Sequence, residues 1–158
     1  MNKRGRNSGF TLVELIIVIV ILGILAAYVT SRLSSLDSSA RRSVMSTLYS
    51  SVKSASSGVH GQAVVTNVAG LESNEVYFEN KGVTVKFGYA TPDQAGIVAA
   101  LDDSSIGDGS DIAYSAEGKT ITFKHRTARN GDKCKVTYTY EGTATSYPVI
   151  DMDVENCD

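Results

Sequence analysis

The residue in the most unusual chemical setting of this sequence is Glu14, an acid inside an apolar segment. Residues 10–29 form a run of twenty in which Glu14 is the only charged side chain. If the run lies in a membrane, a carboxylate there costs roughly 2.5–3.5 kcal/mol on insertion scales. Such an acid indicates a functional contact with a cationic partner, although a lone acid near a helix end can also extend to the lipid headgroups.

The segment that contains Glu14 has the length and composition of a transmembrane helix. A helix rises ~1.5 Å per residue, so a run of this length spans the ~30 Å core of a bilayer. Lys3, Arg4 and Arg6 precede it without an acid, which predicts a cytoplasmic N-terminus and export of the rest. A secretory signal peptide has its small-residue cleavage site after the apolar run. Here Gly9 comes before the run, so cleavage there would leave the apolar segment on the mature protein.

One motif combines these features. Gly9-Phe10-Thr11-Leu12-Val13-Glu14 follows a short basic leader and resembles the class III signal of type IV prepilins. The resemblance implies that a prepilin peptidase cleaves after Gly9 and methylates the new amino group of Phe10. It also implies that Glu14 pairs with the Phe10 amine of a neighbouring subunit, because either charge alone would be costly in an apolar bundle. Residues 83–102 are similar to the middle of mannose-sensitive haemagglutinin pilins, which are bacterial type IVa major pilins.

The resemblance implies a structural role for the chain. The expected function is that of a subunit of a type IV pilus, a helical homopolymer assembled from the inner membrane and displayed on the cell surface for attachment. The implied partners are identical subunits, prepilin peptidase and the inner-membrane pilus assembly machinery. Two alternatives stay open: a pseudopilin of a type II secretion system, and a single-pass membrane protein that does not polymerise. A simple anchor has no reason to retain Glu14.

Length and charge limit the organisation of the chain. Its 158 residues predict a cleaved leader (1–9), a transmembrane and filament-core half of a helix (10–29) and an exported head (30–158). Loss of three basic leader residues leaves 12 basic and 17 acidic side chains, a net charge of −5. An acidic head argues against nucleic acid as a partner.

The chain has two cysteines, Cys134 and Cys157, which enclose 22 residues. In an exported domain an even number of cysteines predicts a disulfide, and closing this loop is worth on the order of 3 kcal/mol in the chain-entropy model. Two free buried thiols are the alternative. A metal site is disfavoured, since the spacing fits no zinc pattern and only His60 and His125 could assist.

No other constellation indicates catalysis or a cofactor. Residues 102–111 are acidic and glycine-rich, but they lack the Asp-x-Asp-x-Asp-Gly spacing of a calcium loop, so a solvated loop is favoured over calcium. Neither histidine lies beside a serine or cysteine nucleophile motif. We therefore expect a protein that is not an enzyme and that needs no metal or cofactor.

A single long helix must position Phe10 and Glu14. No proline interrupts residues 10–58, and beyond the transmembrane run apolar residues recur every three or four positions. These positions are Leu33, Leu36, Ala40, Val44, Leu48, Val52, Ala55 and Val59. The stripe predicts a helix over residues 10–58 whose second half packs on the head, with Gly58 and Gly61 as terminators.

The apolar period changes to two after a predicted loop at residues 61–82. Alternation predicts strands at residues 83–87, 119–125 and 134–140. Turn signals separate them at Glu117-Gly118 and Asn130-Gly131, and residues 92–101 predict a short helix. The expected fold class is α+β, with a long N-terminal α-helix packed on a small antiparallel β-sheet.

Overall fold

Helix α1 (Leu12–Val65) runs for 54 residues and is the longest element of the chain. The structure is a computed structural model that describes residues 10–102 and 104–157, with the backbone alone over residues 30–35. By its internal contacts the chain divides between Asp37 and Ser38 into two compact units.

The first unit contains the N-terminal part of α1, whose residues 15–29 are apolar on all sides. The span Leu12–Val29 has a mean hydropathy of 2.9 and is long and apolar enough to cross a membrane. Its large apolar side chains are between 44% and 73% exposed. A helix of this composition requires lipid or other apolar helices around it rather than water.

Helix α1 continues through both glycines that were expected to end it, so that prediction is wrong. A Cβ on Gly58 would lie 2.7 Å from two carbon atoms of the Phe78 ring. Gly58 therefore makes room for Phe78 against the helix. This packing outweighs the roughly 1 kcal/mol by which glycine disfavours a helix interior relative to alanine.

The helix ends instead at Val65, through the backbone conformation of Asn67. Asn67 adopts the left-handed region with φ of 60°, which asparagine tolerates better than most residues. Its N–H donates to Val64 O at 3.1 Å, and the next N–H, of Val68, donates to Ala63 O at 2.9 Å. This pair of bonds is the Schellman arrangement that satisfies the last carbonyls of a helix.

Within the described residues of the second unit, seven strands form two antiparallel sheets. The orders are β1-β2-β3 and β4-β5-β6-β7. The strands are β1 (Asn74–Phe78), β2 (Lys81–Lys86), β3 (Tyr89–Ala90), β4 (Ile112–Glu117), β5 (Thr120–His125), β6 (Lys135–Thr139) and β7 (Val149–Asp153). A helical segment at Gln94–Val98 leads into α2 (Ala99–Leu101), in the region predicted to be helical. The fold class is α+β, as expected, with two sheets in place of one.

The alternation pattern predicted β2, β5 and β6, but it missed the other four strands. The missed strands β1, β3, β4 and β7 all lie at sheet edges. Strands β1, β3 and β4 each bury a single side chain, and β7 buries none. A strand without a continuous buried face has no reason to alternate apolar and polar residues.

The core of the second unit lies between α1 and the inner residues of the sheets. The buried apolar side chains of α1 are Met45, Leu48, Val52, Ala55, Val59 and Ala63. The predicted stripe is therefore correct from Leu48 onward but wrong before it, because Met45 is buried while Val44 is 41% exposed. Leu36 and Ala40 are exposed, and the side chain of Leu33 lies outside the described residues. Positions 44 and 45 are both at helical spacing from Leu48, so only packing distinguishes them.

The hydroxyls of two tyrosines, one in β6 and one directly after it, connect the two sheets. The Tyr138 hydroxyl donates to Ala90 O at 2.8 Å, and the Tyr140 hydroxyl donates to Lys86 O at 2.8 Å. Tyr138 is fully buried, and burial raises the pKa of its hydroxyl. The hydroxyl therefore remains a donor at all physiological pH values and holds the end of the three-stranded sheet against the four-stranded one.

We predict that Tyr138→Phe destabilises the head by about 1–3 kcal/mol, because Ala90 O would be left buried without its donor. The measurement is urea unfolding of the full-length protein in detergent, followed by near-ultraviolet circular dichroism. Tyr77→Phe is the matched control, since Tyr77 is 71% exposed. Equal unfolding midpoints for the two variants would contradict a structural role for the Tyr138 hydroxyl.

Candidate functional site

The N-terminus of α1 is closed by a reciprocal pair of hydrogen bonds between Thr11 and Glu14. The Glu14 N–H donates to Thr11 Oγ1 at 3.3 Å, while the Thr11 N–H donates to Glu14 Oε2 at 3.2 Å. The Thr11 hydroxyl lies 3.0 Å from the same carboxylate oxygen. This is a capping box, which satisfies two backbone donors that the first turn of a helix leaves free.

The capping role of Glu14 was missed by the reasoning from sequence, although the signal was present. Thr11-Leu12-Val13-Glu14 has the Thr-x-x-Glu spacing of a capping box before an apolar run. The box also explains how a carboxylate is tolerated there, because the positive end of the helix dipole and the Thr11 donors both stabilise it. Glu14 therefore has a contact inside its own chain in addition to the one expected between subunits.

Phe10 is the residue whose amine is predicted to pair with Glu14 of a neighbouring subunit. Phe10 directly precedes Thr11 and is 78% exposed. In the full chain its nitrogen is a peptide nitrogen bonded to Gly9, so an amine exists there only after cleavage. Gly9 and the rest of the leader lie outside the described residues. The cleavage site and the contact between subunits both stay predictions.

The second predicted feature, the cysteine pair, is a disulfide in the structure. Cys134 and Cys157 are bonded, with their Cα atoms 4.9 Å apart, and both are fully buried. Cys134 directly precedes β6 and Cys157 follows β7. The bond therefore joins the start of one central strand to the segment that leaves the edge strand.

Two arginines of α1 hold this C-terminal segment. Arg41 Nη1 donates to Cys157 O at 3.0 Å, and Arg41 Nε donates to Thr127 Oγ1 at 3.2 Å. Arg42 Nη2 reaches Glu155 O at 3.4 Å. Both arginines lie off the predicted apolar stripe, so their spacing gives no sign of these contacts. Contacts between residues 86 to 116 positions apart leave no local signal.

The two histidines contact different residues. His60 stacks on Tyr89 with ring centroids 4.1 Å apart, and its Nδ1 lies 3.0 Å from Gly88 O. His125 is nearly buried and its Nδ1 lies 3.2 Å from Thr127 Oγ1. Among residues 10–102 and 104–157, no three His, Cys, Asp or Glu side chains lie close enough together to hold a metal ion. Asp103, from the acidic loop considered for calcium, is outside those residues.

Charged side chains surround the loop that leads from β5 to Cys134. Lys124 donates to Asp132 at 2.8 Å, and this hydrogen bond lowers the pKa of the Asp132 carboxyl. Lys133 donates to Glu155 at 3.0 Å, and this hydrogen bond raises the pKa of the Lys133 amine. The loop thus has ion pairs on both sides, and all of their members face solvent to a large extent.

Comparison with known proteins gives a match at the N-terminus. Residues 4–30 match the family model described as the prokaryotic N-terminal methylation motif. Neither a curated protein nor a solved structure is similar enough to match the chain. The match supports a type IV pilin-like precursor and implies processing by prepilin peptidase with assembly at the membrane. The α+β architecture, with its apolar N-terminal helix, is consistent with the pilin fold.

We predict that Cys134→Ser lowers the free energy of unfolding of the head by about 2–5 kcal/mol, because the bond restrains the unfolded chain. Alkylation of the exported protein before and after reduction tests the bond itself. Both thiols should react only after reductant has been added. Two cysteines that react without reductant would contradict the disulfide.

Proposed function

We propose that this chain is the structural subunit of a type IV pilus, similar to the major pilins of the mannose-sensitive haemagglutinin type. The single observation behind the proposal is the position of the methylation motif. The motif, matched over residues 4–30, includes the helical span Leu12–Val29, whose large apolar side chains are all exposed. Such a span is stable in the inner membrane before assembly and in a bundle of identical helices afterwards. The heads then form the outer surface of the filament and serve in attachment.

Charge neutralisation at the motif explains why subunits add in register. Cleavage after Gly9 creates a cationic amine at Phe10, and methylation keeps its charge. A neighbouring Glu14 carboxylate, already fixed in direction by Thr11, neutralises this amine in the apolar core. A subunit that is displaced along the filament axis leaves both charges unpaired. The pairing therefore favours one position of each subunit along that axis.

A pilus subunit is favoured over a pseudopilin by the Cys134–Cys157 disulfide, since a C-terminal cysteine pair is more usual in the pilins that the chain resembles. A membrane protein that never polymerises is disfavoured by Glu14. For such an anchor, the capping box alone would have to offset the cost of an acid within the membrane.

The first prediction from this proposal concerns processing. The mature N-terminus should be Phe10 with an N-methyl group, and Gly9→Val should block cleavage because a branched side chain does not fit a site shaped for glycine. Mass spectrometry of the surface protein measures both. A mature protein that begins at Met1 or after Val29 would exclude prepilin processing.

The second prediction concerns assembly. Glu14→Ala should be inserted and cleaved and should form its disulfide, but it should give few filaments. An amine left unpaired in an apolar core typically costs ~3–5 kcal/mol, and the loss recurs at each added subunit. Glu14→Gln should be milder, because its amide oxygen still accepts hydrogen bonds from both the amine and Thr11. The measurement compares sheared filaments with the membrane fraction.

Thr11→Ala separates the contact between subunits from the helix cap. This variant loses the hydroxyl of the capping box but keeps the Glu14 charge, so it should assemble nearly as well as wild type. If Thr11→Ala is as defective as Glu14→Ala, the helix cap and not the charge pair controls assembly. Wild-type filament yield from Glu14→Ala would show that the Glu14 carboxylate is not the assembly contact.

A further inference from the structure

The loop between β5 and β6 contains the only asparagine that is followed by glycine in this sequence. The pair is Asn130-Gly131, and the other asparagines precede Lys3, Ser8, Val68, Glu75, Lys81 and Cys157. The turn signal at this pair was expected to connect two strands, and the structure places it in a loop that ends in one helical turn, Gly131–Lys133. Nothing in the pilus proposal uses this loop.

The surroundings of Asn130 leave its side chain free to react. Asn130 is exposed, and its carboxamide makes no capping hydrogen bond to the turn that follows it. Among the described residues no acceptor is found for the Gly131 N–H, as expected for the first residue of a helical turn. Both groups that would react are therefore unrestrained by hydrogen bonds.

We propose that Asn130 is a site of spontaneous deamidation in the folded head. The Gly131 nitrogen attacks the side-chain carbonyl carbon of Asn130 and forms a new C–N bond. The side-chain amide leaves as ammonia, taking up the proton that Gly131 loses, and a cyclic succinimide remains. Water then attacks either ring carbonyl carbon and breaks its C–N bond to the ring nitrogen, which gives aspartate or isoaspartate at position 130. The reaction needs only water and the chain itself.

Glycine at position 131 is what makes this site reactive. Without a Cβ, Gly131 leaves its nitrogen open to approach and its backbone free to rotate into the ring geometry. Asn80 provides the internal comparison, because it is also exposed and in a turn but is followed by Lys81. Asn80 should therefore remain an amide under the same conditions.

Deamidation adds a negative charge to an exposed loop of the head. Residues 126–133 contain three basic side chains and one acid, so a carboxylate at 130 lowers their net charge from +2 to +1. The new carboxylate lies in the loop between Lys124 and Lys133, which pair with Asp132 and Glu155, and it competes for these lysines. Isoaspartate also lengthens the backbone shortly before Cys134. An exported subunit thus becomes more acidic with age.

The test is a time course on the full-length folded protein in detergent at mildly alkaline pH. Peptide mapping by mass spectrometry should show conversion at Asn130 to both aspartate and isoaspartate, with Asn80 and Asn67 unchanged. Isoelectric focusing should show a growing acidic species that comigrates with Asn130→Asp. Absence of conversion at Asn130, or equal conversion at Asn80, would overturn the proposal.

Gly131→Ala is the variant that tests the mechanism. A Cβ at this position would lie 3.6 Å from Lys124 Cδ, which is ordinary contact, so the variant should fold with its disulfide intact. Its conversion at Asn130 should be slower by several-fold. Unchanged conversion in Gly131→Ala, or conversion of wild type only after unfolding in urea, would also overturn the proposal.

Discussion

The rest of the structure depends on one constraint: the N-terminal part of α1 cannot be stable with water on any side. All of its large apolar side chains from Leu12 to Val29 are exposed in the single chain. Only lipid or other apolar helices can surround such a span. The methylation motif, matched over residues 4–30, includes this span. Under the proposed cleavage after Gly9, the apolar helix stays on the mature protein.

Glu14 is compatible with this constraint because the helix terminus itself supplies donors for its carboxylate. The first turn of any helix leaves N–H groups free, and the capping box uses Glu14 to satisfy one of them. In the proposed filament the same carboxylate pairs with the amine that cleavage after Gly9 creates on a neighbouring subunit. Helix capping within a chain and the proposed charge pairing between chains therefore use one residue.

The head contains two small sheets that pack with part of a long helix, and it is stabilised by other kinds of contact. Buried side chains from Met45 to Ala63 supply the apolar contact, and the Tyr138 and Tyr140 hydroxyls join the sheets through backbone carbonyls. The C-terminal segment has little buried area of its own. It is held by the disulfide and by Arg41, so covalent and polar contacts replace the missing core there.

The sequence by itself determined those features that depend only on residues near one another in the chain. The membrane-length helix, the motif around Glu14, and the strands β2, β5 and β6 all follow from local patterns, because a buried face or an apolar run is visible at fixed spacing. Tertiary structure alone decided the passage of α1 through Gly58, the choice of Met45 over Val44, the edge strands and the contacts of Arg41. For α1 and for Arg41 the deciding partner is distant in the chain, as Phe78 is from Gly58. The edge strands pair with strands close in sequence but lack a continuous buried face. Local spacing permits several solutions there, and packing selects one.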